Sequence, residues 1–251
     1  MKAEDFIAGA VTMPLKLPVL AKMDSIDDLA RVVGAVNTIT VTTDKKLVVS
    51  NTDAAGIRDA LEESSETGRN VPGMVIGAGG ASRAAIYALL GYLDCSAVYL
   101  VNRDSEKTKQ VVAEMVASRF ADAKQTIIVV ESVEQAKTSE APLYVVGCIP
   151  NNTPATEGER TARAMADNLF RTERPGGFLD MSVVVSAPSR GWVTIDGIEV
   201  LGLQLLEQWR LWLGPKVLLP AHAARQLMRD LAIGSASLND SSSIGLFNQT
   251  P

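Results

Sequence analysis

VIGAGGASRAAIYAL, residues 75–89, decides the fold. An apolar run ending at Ile76 reads as a buried strand, glycines at 77, 79 and 80 crowd a turn, and an alanine-rich helix follows over residues 82–90. In that setting Gly77, Ala78, Gly79, Gly80 and Ala81 form a loop whose backbone N–H groups can approach a pyrophosphate at the positive end of the helix dipole. Ser82 stands at the sixth position of the fingerprint, where glycine or alanine is usual, and is small enough to serve. A glycine loop by itself is a weak signal, and a turn with no ligand is the competing reading. The strand before it and the helix after it favour a ligand.

Downstream the alternation continues. Residues 97–101 read as a strand, 105–118 as a helix, 126–130 as a strand, 133–136 as a short helix, 143–146 as a strand and 178–184 as another apolar run. Strands alternating with helices predict an α/β protein with a Rossmann-type doubly wound parallel sheet. The second strand leads into Asn102-Arg103-Asp104, with Lys107 close behind. Such a fold reads the adenosine ribose there: Arg103 and Lys107 argue for the 2′-phosphate of NADP, and Asp104 for the free hydroxyl of NAD. Asp104 can equally cap the next helix. The residues leave both cofactors open.

Upstream, residues 6–12 form an apolar strand-like run stopped by Met13-Pro14. A helix is expected over 25–33 with Ser25 as its N-cap and Gly34 as its stop. Residues 36–43 and 47–50 read as strands joined by a turn at Asp44-Lys45-Lys46, and 53–65 as a helix. Helices return over 201–212 and 220–231, and the Ser- and Asn-rich residues 235–251 are expected to be a mobile tail. The expected organisation is a nucleotide-binding unit over 54–199, with 1–53 and 200–234 forming a smaller α/β substrate domain.

Composition narrows the partners. A net charge of −5 over 251 residues disfavours nucleic acid, which needs a basic face. No window approaches the roughly 20 continuous apolar residues of a membrane helix, and the acidic start Met1-Lys2-Ala3-Glu4-Asp5 is unlike a signal peptide, so the cytoplasm is expected. Cys95 and Cys148 lack metal-ligand spacing and read as small apolar residues, and no metal is expected. His222 is the single histidine, which removes histidine triads and multi-histidine metal sites and leaves acid–base work to Lys, Asp, Glu or Tyr.

Three polar segments precede the glycine loop: VTMPLK (11–16), GAVNTI (34–39) and NTDAAGI (51–57). Singly, Lys16 reads as a loop lysine, Asn37 as a turn former and Asp53 as an N-cap. Together and in order, with NRDSEK (102–107), DMSV (180–183) and GIEVLGLQ (197–204), they resemble shikimate dehydrogenase over residues 6–213, including its domain in the fungal pentafunctional arom polypeptide, quinate dehydrogenase and the quinate repressor. The resemblance implies that Lys16 and Asp53 are the catalytic pair, that Asn37, Thr12 and Gln204 contact substrate, and that the substrate is a small molecule of shikimate or quinate type. It implies interconversion of 3-dehydroshikimate and shikimate, or dehydroquinate and quinate, in aromatic amino acid biosynthesis or quinate metabolism. A lysine ammonium can donate a proton to the carbonyl oxygen while hydride moves, and a neighbouring carboxylate can orient it.

The family pattern also has a Ser-x-Ser segment and a His-Asn pair that grip the substrate carboxylate. Neither precedes Phe6 here, so the substrate domain is expected to be truncated at its N-terminus, which favours a homodimer partner or a fused upstream segment over the exposed edge. Val183 stands where a tyrosine is expected, and residues 147–152 and 184–192 match the pattern only loosely. These departures keep a second reading open, a catalytically impaired metabolite-sensing module of the quinate repressor type.

Overall fold

The computed structural model describes residues 5–64, 69–118, 126–150, 152–170, 176–181, 191–214, 217 and 220–239, with side chains to 231. Two sheets organise them. The smaller contains β1 (Ala8–Ala10), β2 (Ser25–Ile26), β3 (Thr38–Val41) and β4 (Leu47–Ser50), in the order β1-β3-β4-β2. β3 and β4 form an antiparallel hairpin in which Thr38 faces Ser50 and Ile39 faces Val49. Its turn places Lys45 at a φ of 64°. Val11, Val36, Ile39 and Val49 gather with Ala30 into a small core beneath α1 (Asp28–Val33).

The expected cap of α1 moves. Ser25 is not the N-cap: Ser25 and Ile26 pair with Val48 and Val49 as a strand, and the Asp27 carboxylate accepts from the Ala30 N–H instead. Both residues are good caps, and strand pairing takes the earlier one. Gly34 does end the helix, in the left-handed region at φ 68°.

The chain crosses through Asn51 and Thr52 into α2 (Asp53–Ser64) and then the larger sheet. That sheet comprises β5 (Gly73–Ile76), β6 (Ala97–Val101), β7 (Thr126–Val129), β8 (Tyr144–Gly147), β9 (Gly177–Asp180) and β10 (Val193–Asp196). The helices are α3 (Gly80–Tyr87), α4 (Ser105–Ala117), α5 (Val133–Thr138) and α6 (Glu157–Leu169), followed by α7 (Gly197–Leu213) and α8 (Ala221–Asn239). All its strand pairs are parallel, in the order β10-β9-β8-β5-β6-β7. Numbered from β5 this is the 3-2-1-4-5-6 order of the doubly wound nucleotide-binding fold, whose ligand crevice opens where the winding reverses. The reversal lies between β5 and β8, and the glycine loop leaves β5 there.

Both faces of this sheet are covered. Val75, Val98, Leu100 and Val146 point into one core with Ile57, Leu61, Ile86 and Leu89, and Met74, Tyr99 and Val145 point into another with Met165, Leu169 and Phe178. The period-two alternation of strand side chains makes that division. α6 and β10 were not anticipated, and α8 extends to Asn239, into the stretch expected as a tail; residues 240–251 lie outside the described residues. α3 ends in a π-helical turn over Ala88–Tyr92.

Cys95 and Cys148 are free thiols. Burial raises each thiol's pKa to about 12, from an ordinary value of 9.0. The folded protein therefore keeps its thiol protons while the unfolded chain gives them up, so stability should fall as pH rises from about 9 towards 12. The limiting loss is about 1.4 kcal/mol per pH unit per thiol. Urea midpoints at a series of alkaline pH values check this, and a Cys95→Ala variant should show the shallower decline.

Candidate active site

The loop after β1 brings Lys16 against the start of α3. The Lys16 carbonyl accepts from the Val36 N–H at 2.9 Å, which fixes its backbone to the smaller sheet. A Cβ added at Gly80 would stand 3.1 Å from the Lys16 Cβ and 3.5 Å from the Ala35 Cβ. Glycine at 80 lets the nucleotide-type loop lie directly on the lysine stem.

From there the Lys16 ammonium donates to Asp53 Oδ2 at 2.5 Å. Their side chains are 15% and 1% exposed, so each charge depends on the other for compensation. Asp53 opens α2, and Asn51 just before it accepts from the Ala54 N–H at 3.2 Å. The second Asp53 oxygen accepts from Asn37 Nδ2 at 2.8 Å.

Asn37 organises the cluster. Its Oδ1 accepts from the Thr52 N–H at 2.7 Å and the Thr38 hydroxyl at 2.9 Å. A backbone N–H can only donate, so this bond fixes the amide orientation and turns Nδ2 towards Asp53. Nδ2 also reaches Thr52 Oγ1 at 2.9 Å and Gln204 Oε1 at 3.4 Å. Gln204 arrives on α7, which packs closely on α2: a Cβ at Gly56 would come within 3.1 Å of the Gln204 N and the Val200 carbonyl. One turn further, Gln208 Nε2 donates to Thr38 Oγ1 at 3.2 Å, and Trp212 donates to the Ile39 carbonyl at 3.2 Å. Thr52 and Gln208 were not singled out from the sequence, although Gln208 follows Gln204 at the i,i+4 spacing that shares a helix face.

Lys16, Asn37, Asp53 and Gln204 are thus brought together. Thr12 is not bonded into this cluster: it is exposed, and its carbonyl accepts from the Leu15 N–H in the turn that leads to Lys16. Val183 lies outside the described residues.

Gly77 leaves β5 at a φ of 126°, a region open to glycine and costly for other residues. The Gly79 N–H donates to Ser82 Oγ at 3.2 Å, and a Cβ at Gly79 would meet no heavy atom of the described residues within 4 Å. Cys148 borders the loop, its Cβ 3.3 Å from where a Gly77 Cβ would stand. Burial dominates its raised thiol, and the Ser82 hydroxyl and the Lys16 charge oppose the shift.

The remaining candidates form a second group at the end of β6. Asp104 caps α4, accepting from the Lys107 N–H at 3.0 Å. Asn102 Nδ2 donates to the Asp104 carbonyl at 3.3 Å. Arg103 is exposed and ion-paired with Glu159 of α6. Among the described residues no cluster of His, Cys, Asp or Glu could hold a metal ion, and no helix is long and apolar enough to cross a membrane.

No protein-family model matches the chain. It is 34% identical over 232 residues to quinate dehydrogenase of Emericella nidulans, covering 84% of this chain and 70% of that protein. It is 33% identical over 227 residues to the pentafunctional AROM polypeptide of Kluyveromyces lactis, covering 85% of this chain but 14% of that much longer protein. Among solved structures, the dehydroquinate dehydratase and shikimate dehydrogenase of S. pombe AroM superposes with a TM-score of 0.70 at 31% identity, over 91% of this chain and 44% of that one. Fold, motif order and these likenesses agree, and the chain belongs to the shikimate and quinate dehydrogenase family of oxidoreductases.

Proposed function

We propose that the protein interconverts a ring alcohol of shikimate or quinate type and its ketone, using a nicotinamide dinucleotide held over the glycine loop. The observation that carries this reading is the convergence of the Lys16–Asp53 pair and the loop: Gly80 abuts the lysine stem whose ammonium reaches Asp53. A protein that only sensed a metabolite would have no need of an ammonium compensated and aimed in this way, which favours the enzyme over the sensing module.

The loop suits a dinucleotide. Gly79 leaves open space in front of the N-terminus of α3, where a pyrophosphate gains from the N–H groups and the helix dipole. Arg103 and Lys107 would hold a 2′-phosphate, so NADP is the proposed cofactor. Asp104 is occupied as a helix cap, which weakens its claim on a free ribose hydroxyl. When bound, the nicotinamide supplies or accepts the hydride.

The chain's own residues handle the proton and the positioning. Lys16 donates a proton to the carbonyl oxygen during reduction and polarises it beforehand; in the reverse direction its neutral form receives the hydroxyl proton. Asp53 holds the ammonium in place and accepts from a neighbouring substrate hydroxyl, while Asn37 and Gln204 present amide groups to the others. Residues 1–53 and 200–234 act as the substrate side, and 54–199 as the nucleotide side.

Incubation with shikimate or quinate and either NADP or NAD tests the proposal. Turnover should be seen as formation of the reduced nicotinamide, faster with NADP. Folded protein that binds the nucleotide yet turns over neither alcohol would overturn it.

A further inference from the structure

Glu159 is a firmly held carboxylate beside Arg103, and the proposed chemistry leaves it unused. It occupies the first turn of α6, where one oxygen accepts from the Ala155 and Thr156 N–H groups at 2.9 and 3.0 Å and the other pairs with the Arg103 guanidinium. Those backbone bonds hold its carboxyl at about 2, well below the ordinary carboxylate range, with Arg103 helping. The approach of the two segments is close: a Cβ at Gly158 would stand 3.2 Å from the Arg103 carbonyl oxygen. Asp104, the acid that the sequence offers for this position, is turned to the Lys107 N–H.

We infer that Glu159 is a specificity-determining residue that tempers the preference for a 2′-phosphate over a free 2′-hydroxyl. This rests on the proposal that the glycine loop and Arg103 hold a nicotinamide dinucleotide. A fixed carboxylate beside the guanidinium neutralises part of the charge a phosphate would use. It also repels the phosphate dianion directly, whereas an uncharged ribose hydroxyl can donate to it. The balance between the cofactors is thereby set by the Arg103–Glu159 pair and not by Asp104.

The test is a comparison of Kd for NADP and NAD by calorimetry in the wild type, Glu159→Gln and Asp104→Asn. Glutamine keeps an oxygen for the Ala155 and Thr156 N–H groups, and asparagine caps helices as well as aspartate does, so both variants should retain the wild-type circular dichroism melt. Glu159→Gln is expected to move the NADP:NAD affinity ratio towards NADP by about five- to tenfold at low ionic strength. The shift should shrink in high salt, because these groups face solvent; a role confined to capping α6 would produce no such dependence. Asp104→Asn should move the ratio less. A ratio within about twofold of wild type in Glu159→Gln, or a larger shift in Asp104→Asn, overturns the inference. Wild-type protein that binds neither nucleotide would instead overturn the cofactor reading beneath it.

Discussion

Replacing Lys16 by methionine is expected to lower kcat about 10²–10⁴-fold, the range over which a positioned proton donor contributes. Methionine keeps most of the stem that lies on Gly80 while removing the ammonium. Asp53 keeps its bond from Asn37 but loses its counter-charge, so the variant is expected to be less stable by about 3–5 kcal/mol and is assayed well below its melting transition. Nucleotide affinity should hold, because the glycine loop is unchanged. Steady-state kinetics alongside calorimetry separates the two effects. A variant whose kcat stays within about tenfold of wild type would remove Lys16 from the chemistry.

The second large effect concerns stability. Asn37→Leu preserves approximate volume but deletes both halves of the amide that Thr52, Thr38 and Asp53 share. Three buried polar groups lose a partner where Asn37 itself is 2% exposed. At about 1–3 kcal/mol for each orphaned group, partly relieved by relaxation, the expected loss is about 3–5 kcal/mol. Urea unfolding should show a lower midpoint with an unchanged slope. A loss below about 1 kcal/mol would mean that water reaches the cluster and takes the place of the amide.

Much of this architecture is legible in the residue order. The strand, glycine turn and helix over 73–87 follow from apolar periodicity and the special needs of glycine, both local properties. Lys16, Asn37 and Asp53 carry no periodic signal, and they become readable only as a set of motifs in order. What escaped the reading depends on contacts distant in sequence or on competition between equal candidates. α6 is the exception, a local signal passed over: after the Thr156 and Glu159 capping box, Ala162, Met165, Ala166 and Leu169 fall at the i, i+3, i+4, i+7 spacing of a buried helix face. β10 has four residues and owes its strand state to pairing with β9. Ser25 and Asp27 are comparable caps, and pairing with β4 decided between them. The Arg103–Glu159 pair joins segments 56 residues apart, beyond the reach of any local rule.

Gly79 has an implication of its own. Its backbone, at φ −106° and ψ −168°, suits any amino acid, and its missing side chain would touch no atom of the described residues within 4 Å. Among the described residues nothing therefore calls for glycine there, and at compatible angles alanine commonly stabilises a chain by about 0.4–1 kcal/mol through the unfolded state. If the proposed dinucleotide lies over this loop, the hydrogen forgoes that sturdiness so that a guest can come close, and a single methyl separates a firmer fold from a blocked doorway.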